Sequence, residues 1–155
     1  MELNTYSFLF LFLIFLSYPS QDIGTDQSQF FTLMKSSLSG NALSDWDILG
    51  GKSYCNFTGI SCNDRGHVEK INMSGWSVSG NFPADICSYL PELRVLDLSQ
   101  NQLGGNFINS IANCSFSEEL NMKRIHLRAK LLDFSKMKSL RALDISYNLF
   151  IGDFC

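Results

Sequence analysis

One stretch constrains the fold more than any other: Leu93-Arg94-Val95-Leu96-Asp97-Leu98-Ser99-Gln100-Asn101-Gln102-Leu103-Gly104-Gly105. Leu96 and Leu98 alternate with Val95, Asp97 and Ser99, the period of a short strand that turns its leucines inward. Asn101 falls where such a strand would bend. A buried amide there can bond backbone groups that the bend leaves unpaired. Leu103 returns to the core, and Gly104 and Gly105 permit a further turn. The pattern recurs. Asp144-Ile145-Ser146-Tyr147-Asn148 repeats Asp97 to Asn101, with Leu140 and Leu143 ahead of it. Val68, Ile71 and Met73 give an earlier copy, and Leu120 and Met122 a later one. The anchors Ile71, Leu96, Leu120 and Leu143 are spaced 25, 24 and 23 residues apart. Such a period implies an α/β solenoid. Each unit cannot bury its apolar face alone, so neighbours stack with their strands in parallel.

The remaining composition narrows the class. The 155 residues suffice for one modest domain, and a net charge of −3 points away from nucleic acid and membrane surfaces as partners. Phe8 to Leu16 is an unbroken apolar run, too short to span a bilayer but suited to the core of a signal peptide. Residues 1–20 are therefore read as a signal peptide, with cleavage expected between Ser17 and Gly24. No Lys or Arg precedes Lys35, so the leader's positive charge comes only from the α-amino group. No second long apolar run follows, which predicts a secreted, extracellular product without a transmembrane segment. Nucleotide-binding glycine loops, H-E-x-x-H and G-x-S-x-G are absent from the sequence, and His67 and His126 lie in unrelated contexts. The expectation is a protein that is not an enzyme and needs no cofactor or metal.

From Asp26 the pattern is helical. Phe30, Phe31, Leu33, Met34 and Leu38 can share one side, Asp26 or Ser28 can cap the start, and Ser39-Gly40-Asn41 ends it. Leu43 and Trp46 follow, then Cys55-Asn56-Phe57-Thr58-Gly59-Ile60-Ser61-Cys62. This resembles the plant-type N-terminal cap of leucine-rich-repeat proteins, which closes with C-x-W/F-x-G-V/I-x-C after an upstream L-x-x-W. Residues 26–66 are accordingly read as a cap, and residues 67–155 as about four repeats, the last incomplete. The resemblance implies a bridge between Cys55 and Cys62; the C-x₆-C spacing does not suit common zinc sites. Closing so short a loop is worth roughly 2–3 kcal/mol in the chain-entropy model.

Ser79 to Pro83 resembles the plant-specific S-G-x-I/F-P block, and Phe82, Phe107 and Phe154 fall in register as a stacked column. The third repeat drifts: Ile125 stands at the Asn position, Ala129 at a Gly position and Leu132 at a Pro position. His126, Arg128 and Lys130 alternate with Ile125, Leu127 and Ala129, which reads as a solvated basic face. Cys87 and Cys114 fall in adjacent repeats, where buried free thiols are the first expectation and a bridge between them the second; Cys155 is expected as an unpaired terminal thiol. Asn56, Asn72 and Asn113 each head an N-x-S/T sequon, and glycosylation is expected at all three in a secreted chain. Asn72 alternates with Ile71 and Met73, so a glycan there would block part of the concave face. The concave candidates for binding are Val95, Asp97, Ser99, Glu119, Asn121, Lys123, Asp144 and Ser146.

Taken whole, the chain resembles the N-terminal end of a plant leucine-rich-repeat receptor-like kinase. The run Asp85 to Leu96, with Asn113-Cys114-Ser115-Phe116 and Asp144 to Phe150, is most similar to receptors for C-terminally encoded peptides. The resemblance implies an ectodomain that binds a peptide or protein ligand through its concave face, with a co-receptor ectodomain as a possible second partner. Two other expectations stand beside it: a short secreted decoy or co-receptor-like protein, and an inhibitor of the polygalacturonase-inhibitor type.

Overall fold

The computed structural model describes residues 27–130 and 133–151. Residues 1–20, Asp26, Leu132, Phe154 and Cys155, on which several expectations fall, lie outside the described residues. The elements in chain order are α1 (Gln27–Ser37), β1 (Leu38–Ser39), β2 (Ile60–Cys62), β3 (Val68–Asn72), β4 (Ser79–Asn81), α2 (Ile86–Tyr89), β5 (Val95–Asp97), β6 (Gln102–Gly104), α3 (Phe107–Ile111), β7 (Glu119–Asn121), β8 (Arg128–Lys130), β9 (Ala142–Asp144) and β10 (Leu149–Ile151). Two short 3₁₀ turns, Asn41–Leu43 and Tyr54–Asn56, lie between β1 and β2.

The main sheet has the order β2-β3-β5-β7-β9. β2 runs antiparallel to β3, and the other neighbours are parallel. The anchors pair directly across it: Ile71 with Leu96, Leu96 with Leu120, and Leu120 with Leu143. The 25, 24 and 23 spacing is thus the sheet register itself. A second ribbon runs behind, where β4 pairs with β1 and β6, and β8 pairs with β10. Apolar side chains between the two layers form one core, including Met73, Val78, Ile86, Leu98, Met122 and Ile125, each 0% exposed. Phe82 and Phe107 pack as tilted rings with centroids 4.9 Å apart, and Phe30 of α1 meets Phe82 edge-on at 6.0 Å, so the phenylalanine column continues into the cap.

α1 buries Phe30, Phe31 and Met34. Leu33 does not share that face: it sits at its margin, 37% exposed, because positions 30, 31 and 34 already define the buried stripe. Leu38 is buried, but from β1 rather than from the helix. Ser28 lies inside the helix rather than capping it, and its carbonyl accepts from the Thr32 hydroxyl at 3.1 Å. Behind the helix Phe31, Trp46 and Phe57 form an aromatic cluster, with centroids 5.5–5.8 Å apart. The Trp46 indole donates to the Thr58 carbonyl at 3.2 Å, and Lys35 reaches the Trp46 carbonyl. Cys55 and Cys62 are bonded, with Cα atoms 5.5 Å apart. Gly59 explains its place in the motif: at φ +79° a Cβ would collide with the Asn72 carbonyl.

Cys87 and Cys114 are not free thiols. They form a second disulfide, Cα atoms 5.4 Å apart, joining α2 to the turn after α3. The short helices stack on one side of the solenoid, as the strands do on the other, and bring residues 27 apart in sequence into register.

At the bend after the sheet, Asn101 is 2% exposed. Its Nδ2 donates to the carbonyls of Met73 (2.7 Å), Leu98 (2.9 Å) and Ser99 (3.0 Å), and its Oδ1 accepts from Val78 N–H (3.1 Å). Asn148 repeats the arrangement, donating to Met122, Ile145 and Ser146 carbonyls and accepting from Ile125 and Leu127 N–H. The residue preceding this position is left-handed in every repeat: Gly75 (φ 70°), Gln100 (56°), Arg124 (51°) and Tyr147 (57°).

Candidate functional site: the concave sheet face

Alternation along the strands sends one residue of each pair into the core and the next onto the concave surface. Three columns cross that surface. The first is Lys70, Val95, Glu119 and Ala142; the second is Asn72, Asp97, Asn121 and Asp144. The third follows the strands, with Ser74, Ser99, Lys123 and Ser146. A shallow groove of about 270 Å³ runs along the first two columns between Val95, Asp97, Glu119, Asn121 and Asp144.

The candidates differ in how free they are. Asp97 Oδ1 accepts from the Ser99 hydroxyl (2.6 Å) and amide (2.9 Å), while Asp97 Oδ2 accepts from Asn121 Nδ2 (3.1 Å). Ser99 also meets the Ser74 hydroxyl at 2.7 Å and is 2% exposed, so it supports the face from beneath rather than offering a surface group. Lys123 Nζ lies 3.7 Å from Asp144 Oδ2 and 5.4 Å from the Tyr147 ring centre, and the Arg124 guanidinium is 5.0 Å from the same ring. The Ser146 side chain, with its amide, holds the Asp144 carboxyl below the usual carboxylate range. Glu119 and Ser146 are exposed, and Val95 is half-buried.

A second polar row was not anticipated. One residue ahead of the first column, Glu69, Arg94, Glu118 and Arg141 alternate in sign across the repeats, with contacts of 3.7, 3.1 and 3.7 Å. The signal was present: these residues keep the anchors' 25, 24 and 23 spacing. The cap adds to this edge through Glu92, which accepts from the Arg65 guanidinium (2.7 Å) and Asn63 Nδ2 (2.7 Å) and meets His67 Nδ1 at 2.6 Å. The His67 contact first, then the Arg65 charge and Asn63, holds the Glu92 carboxyl below its ordinary range. The arrangement is a polar, hydrogen-bonded face across parallel strands. Among the described residues no cluster of His, Cys, Asp or Glu is placed to hold a metal, and no helix is long and apolar enough to cross a membrane.

Two family models match the chain: "Leucine rich repeat N-terminal domain" at residues 25–63 and "Leucine Rich Repeat" at residues 92–114. The chain belongs to the leucine-rich-repeat family. This leucine-rich-repeat chain is 47% identical over 161 residues to the receptor protein-tyrosine kinase CEPR1 of Arabidopsis thaliana, a match over 99% of this chain and 17% of that relative. It is 29% identical to receptor-like protein kinase 7 of the same plant, over 99% of this chain and 14% of the relative. The chain therefore spans under a fifth of the length of these relatives. Its N-terminal character agrees with that of plant receptor-kinase ectodomains. The fold is that of the Arabidopsis receptor kinase HAESA, solved in complex with the peptide hormone IDA and the co-receptor SERK1 (TM-score 0.69, 24% identity, 79% of this chain and 21% of that one).

Proposed function

We propose that the chain is the N-terminal part of an extracellular recognition ectodomain of a peptide-perceiving plant receptor-like kinase. The observation that carries this reading is the 47% identity over 99% of the chain. Residues 1–20 direct secretion, residues 26–66 close the first repeat, and residues 67–155 begin the binding solenoid. The chain's role is recognition, not catalysis. The ligand is a peptide of the C-terminally encoded class, held by the whole ectodomain, and a co-receptor ectodomain is the second partner. Val95, Asp97, Glu119, Asn121, Lys123, Asp144 and Ser146 present the N-terminal end of the concave face, with Ser99 positioning Asp97. Exposed sequon residues Asn56, Asn72 and Asn113 carry glycans, and the one on Asn72 shields the first repeat's part of the concave face next to Asp97.

Sequencing of the full transcript across the Cys155 codon tests this. In-frame repeats, an apolar span and a kinase support the receptor reading. A stop codon at that point overturns it in favour of a short secreted recognition protein. Secretion is checked separately by expressing the chain in plant cells, where retention in the cytosol defeats the extracellular assignment.

A further inference from the structure

The lateral face beside the sheet has a feature that the concave-face reading leaves unused. Phe116 is 65% exposed, in a turn whose flanking residues Cys114 and Ser117 are buried. It borders a cleft of about 540 Å³ with Pro91, Glu92, Arg94, Glu118 and Ser139. It also borders a smaller recess of about 110 Å³, and Asn113 lines that same recess. Asn113 heads the sequon Asn113-Cys114-Ser115 and is itself exposed. Its neighbour Cys114 is fixed by the disulfide to Cys87. Phe116 lies three positions after Asn113, a span of at most about 11 Å even if extended.

We propose that an N-linked glycan on Asn113 folds back over Phe116 and occupies this lateral cleft, so that its first sugars become part of the folded surface. The chemistry of the cleft fits a carbohydrate. A pyranose presents a C–H face that packs on an aromatic ring and Pro91, while its hydroxyls need both donors and acceptors at the rim. Arg94 supplies donors, Glu92 and Glu118 supply acceptors, and Ser139 supplies both. The two carboxylates and the guanidinium are already tied to other residues at 2.7–3.7 Å, so the rim is preorganised and neutral pairs remain when an uncharged ligand lies over it. The covalent attachment makes the encounter intramolecular, so even a weak sugar–ring contact is populated. The turn carrying both residues is pinned by Cys87–Cys114 and by backbone bonds from Cys114 to Ile111 (2.9 Å) and Ser117 to Cys114 (3.2 Å), which holds sequon and ring in fixed relation.

The proposal rests on the extracellular reading, because attachment requires passage through the secretory pathway. The test uses the whole chain secreted from a glycosylating host. Peptide mass spectrometry first gives occupancy at Asn56, Asn72 and Asn113. The folded protein is then treated with an amidase that removes the whole glycan and leaves Asp at the site, and Phe116 is footprinted with hydroxyl radicals before and after. Expected is occupancy at Asn113 and a severalfold rise in Phe116 oxidation after the glycan is removed. The melting temperature should fall by roughly 2–4 °C on loss of the glycan through Asn113→Gln, and no further when Phe116→Ser is added. Unchanged Phe116 oxidation, or additive effects of the two substitutions, overturns the proposal, as does an empty Asn113 with Asn56 and Asn72 occupied. A chain bare at all three sites defeats the extracellular reading along with it.

Discussion

Two kinds of repeat share this solenoid, and they differ at one position. The repeats anchored on Leu96 and Leu143 carry Asn101 and Asn148 at the bend, while those anchored on Ile71 and Leu120 carry Trp76 and Ile125 there. Both kinds adopt the same fold, because each Asn serves the repeat before its own. Asn101 bonds Met73 and Val78, and Asn148 bonds Met122, Ile125 and Leu127. An Asn in alternate repeats therefore satisfies every second bend from the neighbouring side. The repeats without Asn show a further difference: Ser77 (φ 56°) and His126 (61°) are left-handed, while their counterparts Gln102 and Leu149 are not among the residues of positive φ. Where the repeat carries no Asn of its own, the backbone makes an extra left-handed turn. The functional unit of stacking is thus a pair of repeats.

The largest expected effect comes from removing the buried amide. Asn101→Ala leaves one buried N–H and three carbonyls without their side-chain partner. At about 1–3 kcal/mol for an unsatisfied buried group, and with some rescue by neighbours, the loss should be about 3–5 kcal/mol. Chemical denaturation would show it as a lowered midpoint at unchanged slope. A loss below 1 kcal/mol would break the claim that the first repeat depends on an Asn it does not carry.

Asn148→Ala tests the same bond set nearer solvent. Asn148 is half-buried, so water can replace part of what it supplies, and the loss should be about 1–2 kcal/mol. Amide hydrogen exchange sharpens this. Ile125 and Leu127, in the preceding repeat, should lose protection while Val78 keeps it. Loss confined to the repeat that carries Asn148 would contradict pairing.

The backbone difference gives a smaller effect of opposite sign. A non-glycine residue in the left-handed region is strained by about 1–2 kcal/mol, and glycine removes that strain while adding unfolded-state entropy. Ser77→Gly and His126→Gly should each raise stability by about 0.5 kcal/mol. Gln102→Gly, at the matching position of an Asn-bearing repeat, should lower it by about 0.5–1 kcal/mol. Equal effects at the three sites would show that the two kinds of bend are not distinct.

What could be seen in advance follows the same division. The strand register was legible because Ile71, Leu96 and Leu120 are large, inward and regularly spaced, and burial demands that they stack; Leu143 keeps the register in β9 although it is 40% exposed. The role of Asn101 was legible because a bend leaves backbone groups that only an amide can serve from both sides. The pairing of Cys87 with Cys114 was legible only as the second choice after free thiols: it depends on short helices of unequal length stacking behind the sheet, which no period in the sequence reports. Ser99 looked like a surface residue because it alternates with Leu98, yet the chain has already begun to bend there, and its hydroxyl turns onto Asp97 and Ser74. The charge row Glu69, Arg94, Glu118 and Arg141 was readable from spacing alone but is easily passed over, since each residue looks like an ordinary solvated charge.

The smallest effect separates the amide bonds from the ionic ones by pH. Glu92 and Asp144 are held below their ordinary range when folded, by His67 and by Ser146 respectively. A carboxyl depressed in the folded state stabilises above its unfolded pKa, and that stabilisation disappears as pH falls through the lower folded pKa. Wild type should therefore lose a little stability on acidification from about pH 5 downward, and Glu92→Gln should lose less over the same window. Both groups are half-buried at the surface and screened by solvent, so the difference is small and shrinks further with salt. Asn101 carries no titrating proton, and its bonds are to the backbone. The penalty of Asn101→Ala should hence be the same at pH 7 and in the acid window, whatever the salt. A penalty that faded with acid would mean that ionic contacts such as those of Glu92 and Asp144, not the amide between repeats, set the spacing of the stack.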